Sequence, residues 1–275
     1  MASEEDAPTK AIYQYDGALR TLETSVISVD SVSQLADTDK ALFKQIEPDE
    51  FLVQTAETIF YAQGGGQPFD AGRMEKTIQN GASRCVFEVK AVRHATGSRI
   101  LHLGRFINDK DTFQNGDTVR QSIDGAKRDL HSRLHTGGHI LGLAVRRLAS
   151  SLPGITELKA QHYPDSAFVE FQGLIEGKHK EAIQKQVDQI VSEKLPVKVH
   201  WWDEATAKER CAFFPKEIGG NPHSDTIRVM DIEGAGAYPC GGTHVADTSA
   251  VGKVNLRRIS RQKGITKISY SVEGP

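Results

Sequence analysis

Two short fragments, HTGGHIL at residues 135–141 and YPCGGTHV at 238–245, each set two potential metal ligands four positions apart. They are His135 with His139 and Cys240 with His244. Positions i and i+4 of a helix share one face a turn apart, so the histidine pair can grip a single ion. Taken alone the signal is weak: ten histidines in 275 residues give about 0.4 chance pairs at that spacing, and the cysteine–histidine spacing about 0.1. Together the fragments offer one thiolate and three imidazoles, a set that suits tetrahedral Zn2+. His131 extends the same helical stripe, so the gripping pair is either His131 with His135 or His135 with His139. Gly137 and Gly138 lie inside this helix, where each costs about 1 kcal/mol relative to alanine. Bare backbone beside ligands is expected where a substrate must come close. A metalloprotease of the H-E-x-x-H kind is excluded, because Thr136 stands where the general base is needed.

These fragments need elements to hold them. Up to about residue 120 the chain reads as strand and turn: TSVISVD, EFLVQTAETIFYAQ and CVFEVKAVRH are β-rich runs separated by polar or glycine-bearing turns. In NDKDTFQNGDTVRQSID an Asn-Gly pair precedes another run, a hairpin-like signal. After Asp124 the period changes, and AKRDLHSRLHTGGHILGLAVRRLAS predicts a long amphipathic helix ended by Pro153 and Gly154. A strand in AFVEFQGLI, a helix in HKEAIQKQVDQIVSEKL, a strand in VKVHWW and a short helix in DEATAKER follow. DTIRVMDIE leads as a strand into the Cys-His fragment, and VGKVNLRRISRQKGITKISYSVE closes as a hairpin. The expected fold class is α+β, with a small N-terminal β-barrel and glycine-rich loop over residues 1–122 and an α+β domain carrying the zinc site over 123–275.

The bulk numbers narrow the class. With 38% hydrophobic and 25% charged residues the chain is globular, and no apolar run is long enough to span a bilayer. Its three cysteines share no close spacing, which suits a reducing, cytoplasmic setting. A net charge of −2 argues against coating nucleic acid by charge alone. Residues 251–270 nevertheless carry Lys253, Arg257, Arg258, Arg261, Lys263 and Lys267 with no acid among them. Such a strip either holds phosphates or is a solvated strand face.

The two fragments resemble the editing domain of alanyl-tRNA synthetases and the free-standing AlaX proteins, whose pattern is H-x-x-x-H followed by CGGTH. It falls here on His135, His139, Cys240 and His244. A third fragment, YAQGGGQPFDAG at 61–72, is similar to the family's G-G-G-Q-x-x-D-x-G segment, through Gly64, Gly65, Gly66, Gln67, Asp70 and Gly72. The segment TELKAQHYPDSAFVEF departs from the family, lacking the Gly-Ser turn that many members carry before the strand.

The resemblance implies a trans-editing hydrolase, independent of ATP, that deacylates Ser-tRNA(Ala) and secondarily Gly-tRNA(Ala) at a Zn2+ site. Gly64, Gly65, Gly66 and Gln67 would border the substrate pocket, Thr136 would meet the serine hydroxyl, and the cationic strip, with help from Arg128 and Arg133, would take tRNA phosphates. The catalytic group would be a metal-bound water, with no protein general base assigned. Two rival readings stay open: a non-catalytic RNA-binding module with structural zinc, and a zinc deacylase acting on a small acylated molecule.

Overall fold

A computed structural model of the chain describes residues 7–77, 84–107, 111–214 and 225–274. The acidic start, residues 1–6, and Asn108 to Lys110 of the Asn-Gly segment lie outside these. The chain divides into two compact units: residues 1–64 with 68–128, and residues 65–67 with 129–275. A tripeptide of the glycine-rich segment thus belongs to the second unit.

The first unit contains β1 (Lys10–Ala11), β2 (Thr21–Ser31), the single-turn α1 (Asp37–Lys40), β3 (Phe51–Thr55), β4 (Glu57–Thr58), β5 (Gly72–Thr77), β6 (Arg84–His94), β7 (Ile100–Phe106) and β8 (Thr118–Ile123). Six of these strands close into an antiparallel barrel in the order β2-β3-β7-β6-β5-β8, with β8 returning to β2. Alternation explains the closure: Val119, Gln121 and Ile123 of β8 point inward while Thr118 and Arg120 face water. Val53, Phe60, Met74, Phe87 and Val92 fill the interior. Where β7 passes the β6 bulge, a Cβ on Gly104 would lie 1.9 Å from the Glu88 carbonyl oxygen, so only glycine fits. The Asn-Gly pair does not make a hairpin between partners, since β7 pairs with β3 and β6 whereas β8 pairs with β2 and β5. Strands β5 and β7 escaped the sequence reading.

One histidine is locked inside this barrel. His102 Nδ1 donates to the Val53 carbonyl at 2.9 Å, which leaves Nε2 to accept from the Thr58 hydroxyl at 2.9 Å. Burial pulls its pKa down to about 4. An unfolded histidine titrates near 6.5, so between those values the unfolded chain binds a proton that the barrel refuses. Stability of this unit should therefore fall as pH drops from about 6.5 toward 4. Urea midpoints of the wild type and His102→Gln measured from pH 7.5 to 4.5 check this, and identical pH slopes would refute it.

The second unit is α+β. Its long helix is α2 (Gly125–Arg147), whose first turn counts with the first unit, and β9 (Thr156–Gln161), β10 (Phe168–Gln172), α3 (Lys180–Ser192), β11 (Val197–Asp203), α4 (Glu204–Arg210), β12 (Thr226–Ile232), β13 (Gly236–Pro239), β14 (Lys253–Gln262) and β15 (Ile265–Glu273) follow. Four strands form one sheet, β14-β15-β10-β9, and three form another, β11-β12-β13. The apolar faces of α2 and α3, with Leu134, Leu141, Val187 and Ile190, share a core with Val169, Phe171, Ile268 and Tyr270. The closing hairpin is present as β14 and β15, while β9 and β13 were not anticipated. Among the described residues no helix is long and apolar enough to cross a membrane.

Candidate metal centre

All four expected ligands fall in the second unit and converge. The ligand atoms of His135, His139, Cys240 and His244 lie within 4.8 Å of one another. Helix α2 supplies two on one face, and the turn after β13 brings the other two. Cys240 Sγ sits 3.3 Å from His135 Nε2 and 3.3 Å from His244 Nε2. Bonds of 2.0–2.3 Å to one tetrahedral ion put neighbouring ligand atoms about 3.5 Å apart, so the spacing fits. His131 is buried on the same helix but is not one of the four that converge.

The hydrogen bonds fix which nitrogen of two rings is free to ligate. The Thr243 backbone N–H, which only donates, lies 3.0 Å from Gln67 Oε1, and Gln67 Nε2 donates to the Thr243 hydroxyl at 2.9 Å. The Gln67 oxygen is thus an acceptor, and His135 Nδ1, 2.7 Å away, must carry the proton. The His135 Nε2 lone pair is left facing Cys240. Thr136 does the same for His244: its hydroxyl donates to the Ser132 carbonyl at 2.9 Å and accepts from His244 Nδ1 at 3.2 Å. His139 Nε2 is buried with no hydrogen-bond partner, as expected of a nitrogen reserved for an ion. Each of these observations fits Zn2+, and second partners of this kind typically change metal affinity 10- to 100-fold. Gln67→Leu should therefore weaken zinc binding by roughly 10- to 100-fold, read by competition with a chromogenic chelator, while far-ultraviolet dichroism stays unchanged.

The protonation state favours ligation at the three imidazoles. Burial lowers the His139 pKa to about 3 and drives His135 and His244 well below their ordinary value, keeping the rings neutral. Burial raises the Cys240 thiol, while the Arg228 charge and the Gly242 N–H at 3.4 Å pull it back. Arg228 is fixed nearby by its bond to the Cys240 carbonyl at 2.5 Å.

The residues expected to touch substrate or tRNA are distributed differently. Gln67 and Thr136 each accept from one histidine of the cluster and spend their donors on Thr243 and the Ser132 carbonyl. Gly65 and Gly66 adopt φ of 52° and 79°, and a Cβ on Gly66 would lie 2.4 Å from the Ala160 carbonyl oxygen. Gly64 falls in the first unit, where its carbonyl accepts from the Tyr61 hydroxyl at 2.8 Å. Gly138 of α2 makes room for one of the protein's own side chains: a Cβ there would lie 2.4 Å from His162 Cε1, whereas one on Gly137 would lie 3.4 Å from Val272. Arg128 is neither solvated nor free for phosphate, being fully buried against Asp70. Arg133 donates Nε to the Val251 carbonyl at 2.8 Å. Lys253, Arg257, Arg258, Arg261 and Lys263 are exposed along β14 and its turn, and Lys267 is half-buried on β15.

Four neighbours escaped the sequence reading. His162 stacks on His135 with ring centroids 4.2 Å apart, and its Nδ1 donates to the Tyr270 hydroxyl at 2.7 Å, which itself donates to the Leu134 carbonyl. Tyr238 packs its ring 4.4 Å from that of His139 and donates to Glu157 at 3.2 Å. Burial raises Glu157 to about 7. Apart from Tyr238, which opens the YPCGGTHV fragment, no local motif marks these residues. The one available signal was the departure from the family pattern in the segment that contains Glu157 and His162.

The comparisons bear on the same stretches. Residues 4–127 match the family described as tRNA synthetases class II (A), and residues 227–269 the threonyl and alanyl tRNA synthetase second additional domain. An alanine–tRNA ligase of Methanococcus maripaludis strain C5 is 28% identical over 249 residues, covering 86% of this chain and 26% of that protein. The Pyrococcus furiosus ligase is 29% identical over 264 residues, 90% of this chain and 27% of its own length. That of Thermococcus kodakarensis is 31% identical over 220 residues, 78% and 22%. The chain thus spans about a quarter of the length of the relatives it matches.

Proposed function

We propose that this chain, a homologue of the alanine–tRNA ligases over most of its length, is a zinc-dependent hydrolase that removes the wrong amino acid from tRNA(Ala). Its substrate is Ser-tRNA(Ala) ahead of Gly-tRNA(Ala), and the bond cleaved is the ester at the tRNA 3′ end. The observation that carries this reading is the convergence of His135, His139, Cys240 and His244, with two of the imidazoles turned by Gln67 and Thr136 to present Nε2. A bound Zn2+ supplies Lewis acidity, toward either water or the ester carbonyl. The chain's own residues orient the ligands, keep the rings neutral and crowd the site with His162 and Tyr238. The reaction uses no ATP and takes place in the cytoplasm.

The test is direct. Purified protein should release serine from Ser-tRNA(Ala) and spare Ala-tRNA(Ala), and a zinc chelator should stop it. One observation favours a second reading: four protein ligands close a tetrahedral ion to water, as in structural sites. In that case the metal-loaded protein binds tRNA, hydrolyses neither ester, and loses the fold of its second unit on chelation.

A further inference from the structure

We infer that the outer face of the four-stranded sheet is an RNA-docking surface built by two β-bulges, an inference that rests on the tRNA reading above. In β14 the register steps from Leu256 opposite Tyr270 to Arg258 opposite Ser269, leaving Arg257 as the extra residue. Strict alternation would turn one of two consecutive arginines into the core. The bulge instead keeps both exposed while Val254 and Leu256 on one side of it stay buried and Ile259 on the other packs against the core. In β9 the register steps from Glu170 opposite Lys159 to Phe171 opposite Glu157, leaving Leu158 as the extra residue, 40% exposed. Each bulge therefore adds one outward side chain, one cationic and one apolar.

The register fills in the surface around them. Phe168 and Lys267 share the face opposite buried Val169 and Ile268, and Lys267 Nζ lies 3.6 Å from the Phe168 ring centroid. The acid there, Glu170, is paired with Lys159 at 3.4 Å. Arg257, Arg258, Lys159 and Lys267 against Glu170 leave an excess of positive charge around an aromatic ring and an exposed leucine. Phosphates match the cations, and an unpaired base matches the ring, which an acidic peptide would leave unused. The occupant is thus tRNA, held partly through an unpaired base.

The test uses the full chain and deacylated tRNA(Ala), with fluorescence anisotropy over a range of salt concentrations. The double variant Arg257→Ala/Arg258→Ala should weaken binding roughly tenfold and reduce the salt slope by about 1.5. Phe168→Ala should also weaken it roughly tenfold, but with the slope unchanged, because stacking releases no counterions. Lys208→Ala/Arg210→Ala, two cations on α4 beside the other sheet, should leave binding within twofold. If the α4 pair weakens binding as much as the β14 pair, or Phe168→Ala leaves it unmoved, the assignment is overturned. Binding unchanged in all three variants overturns it as well and leaves the face to an acidic protein partner. Hydrolysis is scored separately on Ser-tRNA(Ala). A protein that loses tRNA affinity as stated yet cleaves no ester keeps the surface and loses the hydrolase.

Discussion

His139→Ala should bind less than one zinc per chain after dialysis and lose roughly 10³-fold in the rate of serine release from Ser-tRNA(Ala). The magnitude follows from what a metal contributes to acyl transfer, several kcal/mol of charge stabilisation, at about 1.4 kcal/mol for each factor of ten. His139 is the informative ligand to remove, since its Nε2 is buried without a hydrogen-bond partner. Its loss breaks no polar network, so a fall in activity reports on the metal. Replacing His135 would instead break its hydrogen bond to Gln67. Zinc content by atomic absorption and single-turnover deacylation check the two halves independently. Full zinc occupancy with wild-type turnover in His139→Ala would remove that residue from the site. Zinc lost with turnover intact would sink the metal-dependent mechanism and leave only the fold to the ion.

Asp70→Ala should destabilise the first unit by about 3–5 kcal/mol, the usual consequence of leaving one partner of a buried ion pair alone. Asp70 and Arg128 are both fully buried, with guanidinium and carboxylate in direct contact, and Asp70 also accepts from the Tyr61 N–H at 2.7 Å. Arg128 spends its remaining donors on the Gly17 carbonyl at 2.9 Å and the Ile59 carbonyl at 2.5 Å. Among the described residues Asp70 is the acidic partner of Arg128. By calorimetry the transition of this unit should move down by roughly 10 °C. Arg128→Met combined with Asp70→Leu should recover much of that loss, because a buried pair exchanged for apolar groups is often close to neutral. An Asp70→Ala protein that melts with the wild type would show that the pair carries no structural weight.

The converging group of His135, His139, Cys240 and His244 was legible because its signal is local. Four positions on a helix fix a shared face, and CGGTH repeats the spacing in a turn, so the residue types mark a candidate set of ligands. The barrel was legible in outline for a similar reason, since alternating runs such as TVRQSI state which side faces inward. Strands β5 and β9 were not, because RMEKT and TELKAQ are polar segments whose strand character comes from the partners they pair with. The roles of Gln67 and Thr136 were also beyond the sequence. A glutamine after three glycines and a threonine between ligands read equally well as substrate contacts. Only the fold shows that their oxygens are committed to His135 and His244.

By itself, then, the sequence determined a candidate set of metal-binding side chains, one cysteine and three histidines, and the amphipathic helix that carries two of them. Tertiary structure decided which atoms of the four side chains face one another, that His162 occupies the space beside Gly138, and that two bulges turn Arg257 and Leu158 outward. The physical reason is range. Helical period and ligand spacing are set within a few residues, whereas ring tautomers, buried ion pairs and bulge direction depend on atoms brought together from far along the chain.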